Sequence, residues 1–277
     1  MAPTLVLLAA GMGSRFGGLK QLAPVGPDGE AIFDYTVRDA AAAGIEHVVL
    51  IVRDEIRAAI GEHVARRWPA TLSVEWVTQE SPRHRAKPLG TAHAVLATRP
   101  AVDGPFLVLN ADDHYGESSF PALADHLART AEHALVGFRV SRTLLGDGAV
   151  NRGRVWAGPD GSVTGVAEGR VDRDPTGALT WTGAGRTDRL AGDEPVSMNL
   201  WGFQPSLYGW LQQAWDEFAD AGLDHTDAEL LLPTVVDAMI AGGETVRLLR
   251  TDEWCLGVTH ADDLPRLQAV ARNGWVP

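Results

Sequence analysis

The chain has 277 residues, 45% of them hydrophobic and 22% charged, an ordinary globular composition with enough apolar residues for a large core. A net charge of −12 argues against broad binding to nucleic acid or anionic membranes, which needs a basic surface. No apolar run is long enough to span a bilayer, the N-terminus has no basic lead, and the sole cysteine, Cys255, excludes an intramolecular disulfide; all three fit a cytoplasmic protein.

Residues 4–10 (TLVLLAA) are a continuous apolar run, as expected of a strand buried on both faces. A glycine-rich loop follows, to about residue 29. Residues 32–43 have helical spacing and stop at Gly44, a C-terminal cap. HVVLIV at 47–52 predicts a second buried strand, 54–66 a helix, 72–77 a third strand, and 90–98 the start of another helix. PFLVLN at 105–110 predicts a further buried strand that runs into Asp112 and Asp113. A helix over 119–130 and a strand over 134–140 come next. This alternation predicts βαβ units and a mainly parallel sheet with helices on both faces.

The character changes over 141–195, which are rich in Gly, Asp, Arg and Thr. GPDG (158–161) and DPTG (174–177) are turn signals between short β-like segments, so antiparallel hairpins should form a lid over one end of the sheet. A strand over 196–203, helices over 205–219 and 227–241, a strand over 246–250 and a helix over 262–272 close the pattern. With no linker and no repeat, the expectation is one domain, 1–277, with the lid inserted at about 141–195.

The strongest chemical signal is LLAAGMGSRFGGLKQL at 7–22. A buried strand delivers a glycine-rich loop at its carboxyl end, where open α/β sheets bind ligands. Gly11 and Gly13 let backbone N–H groups approach phosphate oxygens, Arg15 can grip phosphate with two bonds, and Lys20 adds a second cation. The pattern is neither a dinucleotide-binding fingerprint nor a Walker loop. A plain strand-to-helix turn is the competing reading. Of 24 basic residues only Lys20 and Lys87 are lysines, and both fall in loops assigned here to the site. In an acidic chain, an enzyme for anionic substrates needs its cations concentrated locally.

This loop resembles the signature of nucleotidyltransferases with the Rossmann-like fold shared with GT-A glycosyltransferases, sugar-1-phosphate nucleotidyltransferases (NDP-sugar pyrophosphorylases) among them. Gly11, Gly13, Arg15 and Lys20 match; Leu19 replaces the usual proline. The resemblance implies a three-layer α/β/α fold and a nucleotide site at Ala10, Gly11, Gly13 and Ser14, with Arg15 and Lys20 catalytic on the triphosphate. KPLGTAHA at 87–94 resembles the segment whose backbone reads the base. It implicates Gly90 and Thr91, with Gln79 as a further base contact and Lys87 on the substrate side. Gly90 should allow close approach of the base. LVLNADDHYG at 107–116 resembles the strand-end acid of the family and maps the metal ligand, for Mg2+, to Asp112, with Asp113 a helper and His114 in the wall. GVAEGR at 165–170 places Glu168 on a sugar hydroxyl, with Gly169 where the family has lysine and Arg170 the available substitute. VSMNLWGF at 196–203 places Asn199 on the sugar and Trp201 as a stacking platform.

One departure concerns the second metal carboxylate that relatives carry near a Trp-x-Asp-x-Gly-Thr motif. The stretch from Trp254 to Thr259 holds no acid, leaving Asp252 or Asp262 as substitutes. The implied activity is transfer of NMP from an NTP to a sugar 1-phosphate or similar small phosphorylated acceptor, releasing pyrophosphate. A GT-A-type glycosyltransferase and a non-catalytic nucleotide-binding homologue are the alternatives. A cyclitol, amino-sugar or alcohol phosphate remains open as acceptor, as does a homo-oligomer.

Overall fold

The structure is a computed structural model describing residues 2–11, 19–80, 85, 87–146, 148–222, 227–258 and 261–277. In chain order the elements are β1 (Thr4–Leu8), α1 (Ile32–Ala42), β2 (His47–Val52), α2 (Asp54–Arg67), β3 (Ser73–Thr78), α3 (Thr91–Leu96), β4 (Phe106–Asn110) and β5 (Asp113–His114). Then come α4 (Ser119–Arg129), β6 (His133–Arg139), β7 (Val150–Ala157), β8 (Val163–Arg173), β9 (Leu179–Gly183), β10 (Arg186–Leu190) and β11 (Pro195–Phe203). The chain closes with α5 (Leu207–Gly222), α6 (Leu232–Ala241), β12 (Val246–Thr251), β13 (Leu256–Gly257) and α7 (Leu264–Arg272). Among the described residues no helix is long and apolar enough to cross a membrane.

β1, β2 and β4 are the apolar runs of the sequence, and they lie side by side. β1 pairs in parallel with β2 on one edge and β4 on the other. Their side chains alternate between two cores. Leu5, Leu7, Val48, Leu50, Leu107 and Leu109 enter one, with Phe33 of α1, Ile60 of α2 and Leu123 of α4. Val6, Val49, Ile51 and Val108 enter the other, with Val95 of α3, Leu211 of α5 and Val236 of α6. This is the three-layer α/β/α arrangement, and it explains why the central strands show no polar face.

The strand order is β10-β9-β8-β7-β11-β4-β1-β2-β3, with β6 also paired to β11 and β12 to β6. The lid hairpins β7 to β10 are thus continuous with the main sheet. β11 runs antiparallel to β4, β6 and β7, and joins the lid to the core.

Local chemistry sets the boundaries. α1 ends as expected: Gly44 takes φ +81°, its N–H bonds Ala41 O, and Ile45 N–H bonds Ala40 O. The helix expected over 227–241 begins only at Leu232. Leu230 instead pairs like a strand with the 89–92 segment, donating to Leu89 O and accepting from Ala92 N–H, and Pro233 opens the helix.

Candidate functional site

The site lies at the carboxyl ends of β1 and β4. Residues 12–18 lie outside the described residues, so the expectations for Gly13, Ser14 and Arg15 are not addressed by the structure. The loop's two flanks are described. Gln21 donates to Ala9 O (3.0 Å) and Gly11 O (2.7 Å), and Arg53 donates to Ala10 O (2.9 Å). Three successive carbonyls are thereby satisfied by side-chain donors, which removes partial negative charge from the entrance to the glycine-rich loop. Neither Gln21 nor Arg53 was singled out by sequence, because these bonds exist only in the folded chain. Lys20, at the start of a one-turn 3-10 segment, forms an ion pair with Asp112.

Asp112 and Asp113 follow β4. β5 pairs antiparallel with β13, matching Asp113 with Gly257. Asn110 Nδ2 donates to Asp113 Oδ2 (3.0 Å), and Val258 N–H donates to Asp112 O (3.2 Å). A Cβ on Gly257 would lie 1.9 Å from Asp113 Oδ1 and 2.7 Å from Asp112 O. Gly257 therefore leaves the space that the Asp113 carboxylate fills. Of the acids near the 254–259 stretch, Asp252 is engaged in an ion pair with Arg139 (2.8 Å), whereas the Asp113 carboxylate lies beside Gly257 across the ribbon. Burial pushes the Asp113 carboxyl up to about 6, and the neighbouring Asp112 adds to the shift, against the Asn110 hydrogen bond and the charges of Arg152 and Lys20.

Tyr115, fully buried, accepts from Asn110 N–H (3.0 Å) and donates to Met198 O (3.0 Å). It ties the end of β4 to β11 beside Asn199. There the β6–β11 register breaks between Ser197 and Trp201, and Asn199 adopts φ +61°. Asparagine tolerates this left-handed conformation better than most residues, and the bulge re-aims its side chain.

Lys20, Asn110, Asp112, Asp113, Glu168 and Asn199 line one cavity of about 140 Å³, which Arg152 also walls. Thr91 joins Glu168 and Asn199 around an adjoining cavity of about 410 Å³. Desolvation raises the pKa of Glu168, opposed by the nearby Arg152 charge. The structure thus brings Lys20, Asp112, Glu168 and Asn199 together, from four separate stretches of sequence.

Other expected residues sit differently. Trp201 is fully buried in the apolar core, parallel to Phe203 at 5.8 Å, so it has no face to offer a ligand; its indole N–H donates to Asn199 Oδ1 (3.3 Å). Gly90 has a packing reason to be glycine. At φ +102° its Cβ would lie 2.3 Å from Leu230 O, so a backbone occupies that space. Gln79 is buried and donates to Gly90 O (3.0 Å), which shapes the loop. Thr91 Oγ1 accepts from Leu232 N–H (2.9 Å) and caps α6. Lys87 pairs with Glu229 (3.2 Å) at the surface. Arg170 makes a forked pair with Asp172. Ala10 is buried.

Among the described residues no group of three or more His, Cys, Asp or Glu side chains could hold a metal. The adjacent Asp112 and Asp113 nevertheless suit Mg2+, which takes one or two carboxylates and completes its shell with water and substrate phosphates.

Residues 5–194 match the model of the MobA-like NTP transferase domain. No curated protein matches the chain. Among the solved structures that share the fold are the following three. A protein described as a glucose-1-phosphate thymidylyltransferase from Bacillus anthracis, in complex with sucrose, has TM-score 0.69 and 14% identity, with 98% of this chain and 96% of that one covered. The inositol-1-phosphate CTP transferase from T. maritima has TM-score 0.67 and 13% identity, covering 100% and 98%. UTP-bound UGPase from Acinetobacter baumannii has TM-score 0.63 and 18% identity, covering 98% and 93%.

Proposed function

The chain belongs to the MobA-like NTP transferase domain family, and from that premise we propose that it transfers NMP from an NTP to a sugar 1-phosphate or a closely similar phosphorylated acceptor. The observation that carries this reading is the shared cavity. It brings together the cation of Lys20 with the acids Asp112 and Asp113, and the hydrogen-bonding side chains of Glu168 and Asn199. The first group suits a triphosphate and the second a polyhydroxylated acceptor. The three solved structures named above are described by names that carry such substrates, which supports the same assignment.

The triphosphate lies along the 11–20 loop, with Arg15 and Lys20 countering its charge, and the base lies toward Gln79, Gly90 and Thr91. Asp112 and Asp113 hold Mg2+, which when bound neutralises phosphate charge. Glu168 accepts a hydrogen bond from an acceptor hydroxyl, and Asn199 donates one. The acceptor's phosphate oxygen forms a bond to the α-phosphorus as the bond to the β-phosphate bridging oxygen breaks, and pyrophosphate leaves with that electron pair. Lys20 offsets the charge that builds on the leaving group. The residues work by positioning and charge compensation, with no covalent intermediate.

Pyrophosphate release, measured across the NTPs and sugar 1-phosphates, tests the proposal. Lys20→Ala and Asp112→Asn should each lower turnover by ~10²–10³-fold while the chain remains folded. Pyrophosphate release at the wild-type rate by either variant sinks it. Consumption of a nucleotide sugar without pyrophosphate would instead mark a glycosyltransferase.

A further inference from the structure

A third cavity, of about 560 Å³, opens beside the site between β7, β8 and the start of α7. It shares Asn151 and Arg152 with the site cavity, and Asn151 and Arg170 with the 410 Å³ cavity. Three compartments therefore meet at Asn151, and the proposed reaction uses only two.

The described lining of the third is rich in arginine, in a chain whose net charge is −12. Among its described lining residues Arg152, Arg170 and Arg266 stand against one acid, Asp263. Arg170 is already matched by Asp172. The hydrogen-bond partners of Arg152 are all neutral: its Nε donates to Thr143 Oγ1 (2.9 Å), its Nη1 to Asn151 O (2.7 Å) and its Nη2 to Thr143 O. Desolvation lowers its pKa, opposed by the nearby charges of Asp113 and Glu168. Arg266 lies along Gly146, where a Cβ would come within 2.5 Å of its Nη1, and it makes no ion pair among the described residues. A glycine thus leaves room for one cation, and neutral groups hold another at the shared wall. The planar fork of arginine suits phosphate or carboxylate oxygens.

We propose that this cavity is a second anion subsite, in which Arg266 and Arg152 grip a phosphate or carboxylate carried by the acceptor at the end remote from its attacking phosphate. The identity of the acceptor rests on the nucleotidyltransferase reading; the anion site itself does not.

Titration calorimetry of the full chain with inorganic phosphate tests the site without turnover, with the triphosphate loop filled by a non-hydrolysable NTP analogue and Mg2+. The wild type should bind one phosphate more than Arg266→Ala, or bind that phosphate about tenfold more tightly, the scale of one charge-assisted hydrogen bond. Arg266→Gln serves if the alanine variant fails to fold. Wild-type stoichiometry and affinity in the folded variant overturn the subsite. The source of the anion is read by comparing glucose 1,6-bisphosphate with glucose 1-phosphate as acceptors. The ratio of their kcat/KM values should be about ten or more in the wild type and fall toward one in the variant. Equal values in the wild type overturn the assignment to the acceptor and leave a free anion as the ligand. Turnover of neither compound speaks against the proposed reaction, while the phosphate stoichiometry still decides the cavity.

Discussion

Trp201 and Asn199 stand two residues apart on β11, and the indole decides what the amide can do. An indole N–H can only donate, so its partner must be Oδ1, and the Nδ2 donors of Asn199 are left for the cleft. Trp201→Phe keeps most of the buried area but frees the amide to turn. Steady-state kinetics should show the acceptor KM raised about fivefold, the scale of one neutral hydrogen bond, with kcat little changed. An unchanged KM would refute this positioning role. Asp113 sets a dependence on pH. Its carboxyl is raised from 3.8 to about 6, so its contribution to stability is complete below the unfolded value and lost as pH rises through about 6. Mg2+ bound to the ionised pair offsets that loss. Calorimetry should therefore show a Mg2+-induced rise in Tm that grows between about pH 5 and about pH 7.5. Asp113→Asn should flatten this growth, and in the absence of metal at the higher pH it should exceed the wild type in stability.

At the scale of elements, the two-residue ribbon of β5 and β13 carries the acidic end of the site. Gly257→Ala places a methyl group against both the Asp113 carboxylate and the Asp112 carbonyl, so the two acids must move together. The expected result is Mg2+ affinity weakened at least tenfold, with a modest loss of Tm, read by titration calorimetry and thermal melting. Wild-type metal binding would show that the ribbon has slack. No periodicity announces this ribbon, since two residues per strand are too few to alternate. The long apolar strands β1, β2 and β4 are legible because burial on both faces leaves no polar position. Gly90 was legible as special, but its backbone neighbour was not: it is Leu230, 140 residues away in sequence. For the same reason 227–231 passes for helix, since nothing local says it will pair with 89–92. Within the site, Lys20 and Asp112 follow from a motif, while Gln21, Tyr115 and Arg152 act through tertiary partners that spacing cannot disclose.

At the scale of the molecule, one sheet of 11 strands runs from the nucleotide end through the lid. β11 is its keystone, flanked by β4, β6 and β7. The 174–177 turn between β8 and β9 is exposed and closed by Asp174, whose Oδ1 accepts from Thr176 N–H (2.8 Å) and Ala178 N–H (3.0 Å). A polypeptide severed there would yield one piece holding β1 to β8 and another supplying β9 to β13. Each piece would keep edges that only its counterpart can cover, since β11 inserts between strands of the first. Co-expressed halves should therefore co-elute as one particle and regain pyrophosphate release, while either half alone stays insoluble or unfolded. Failure of the halves to reassociate would mean that covalent continuity, not interlocking strands, keeps the enzyme whole.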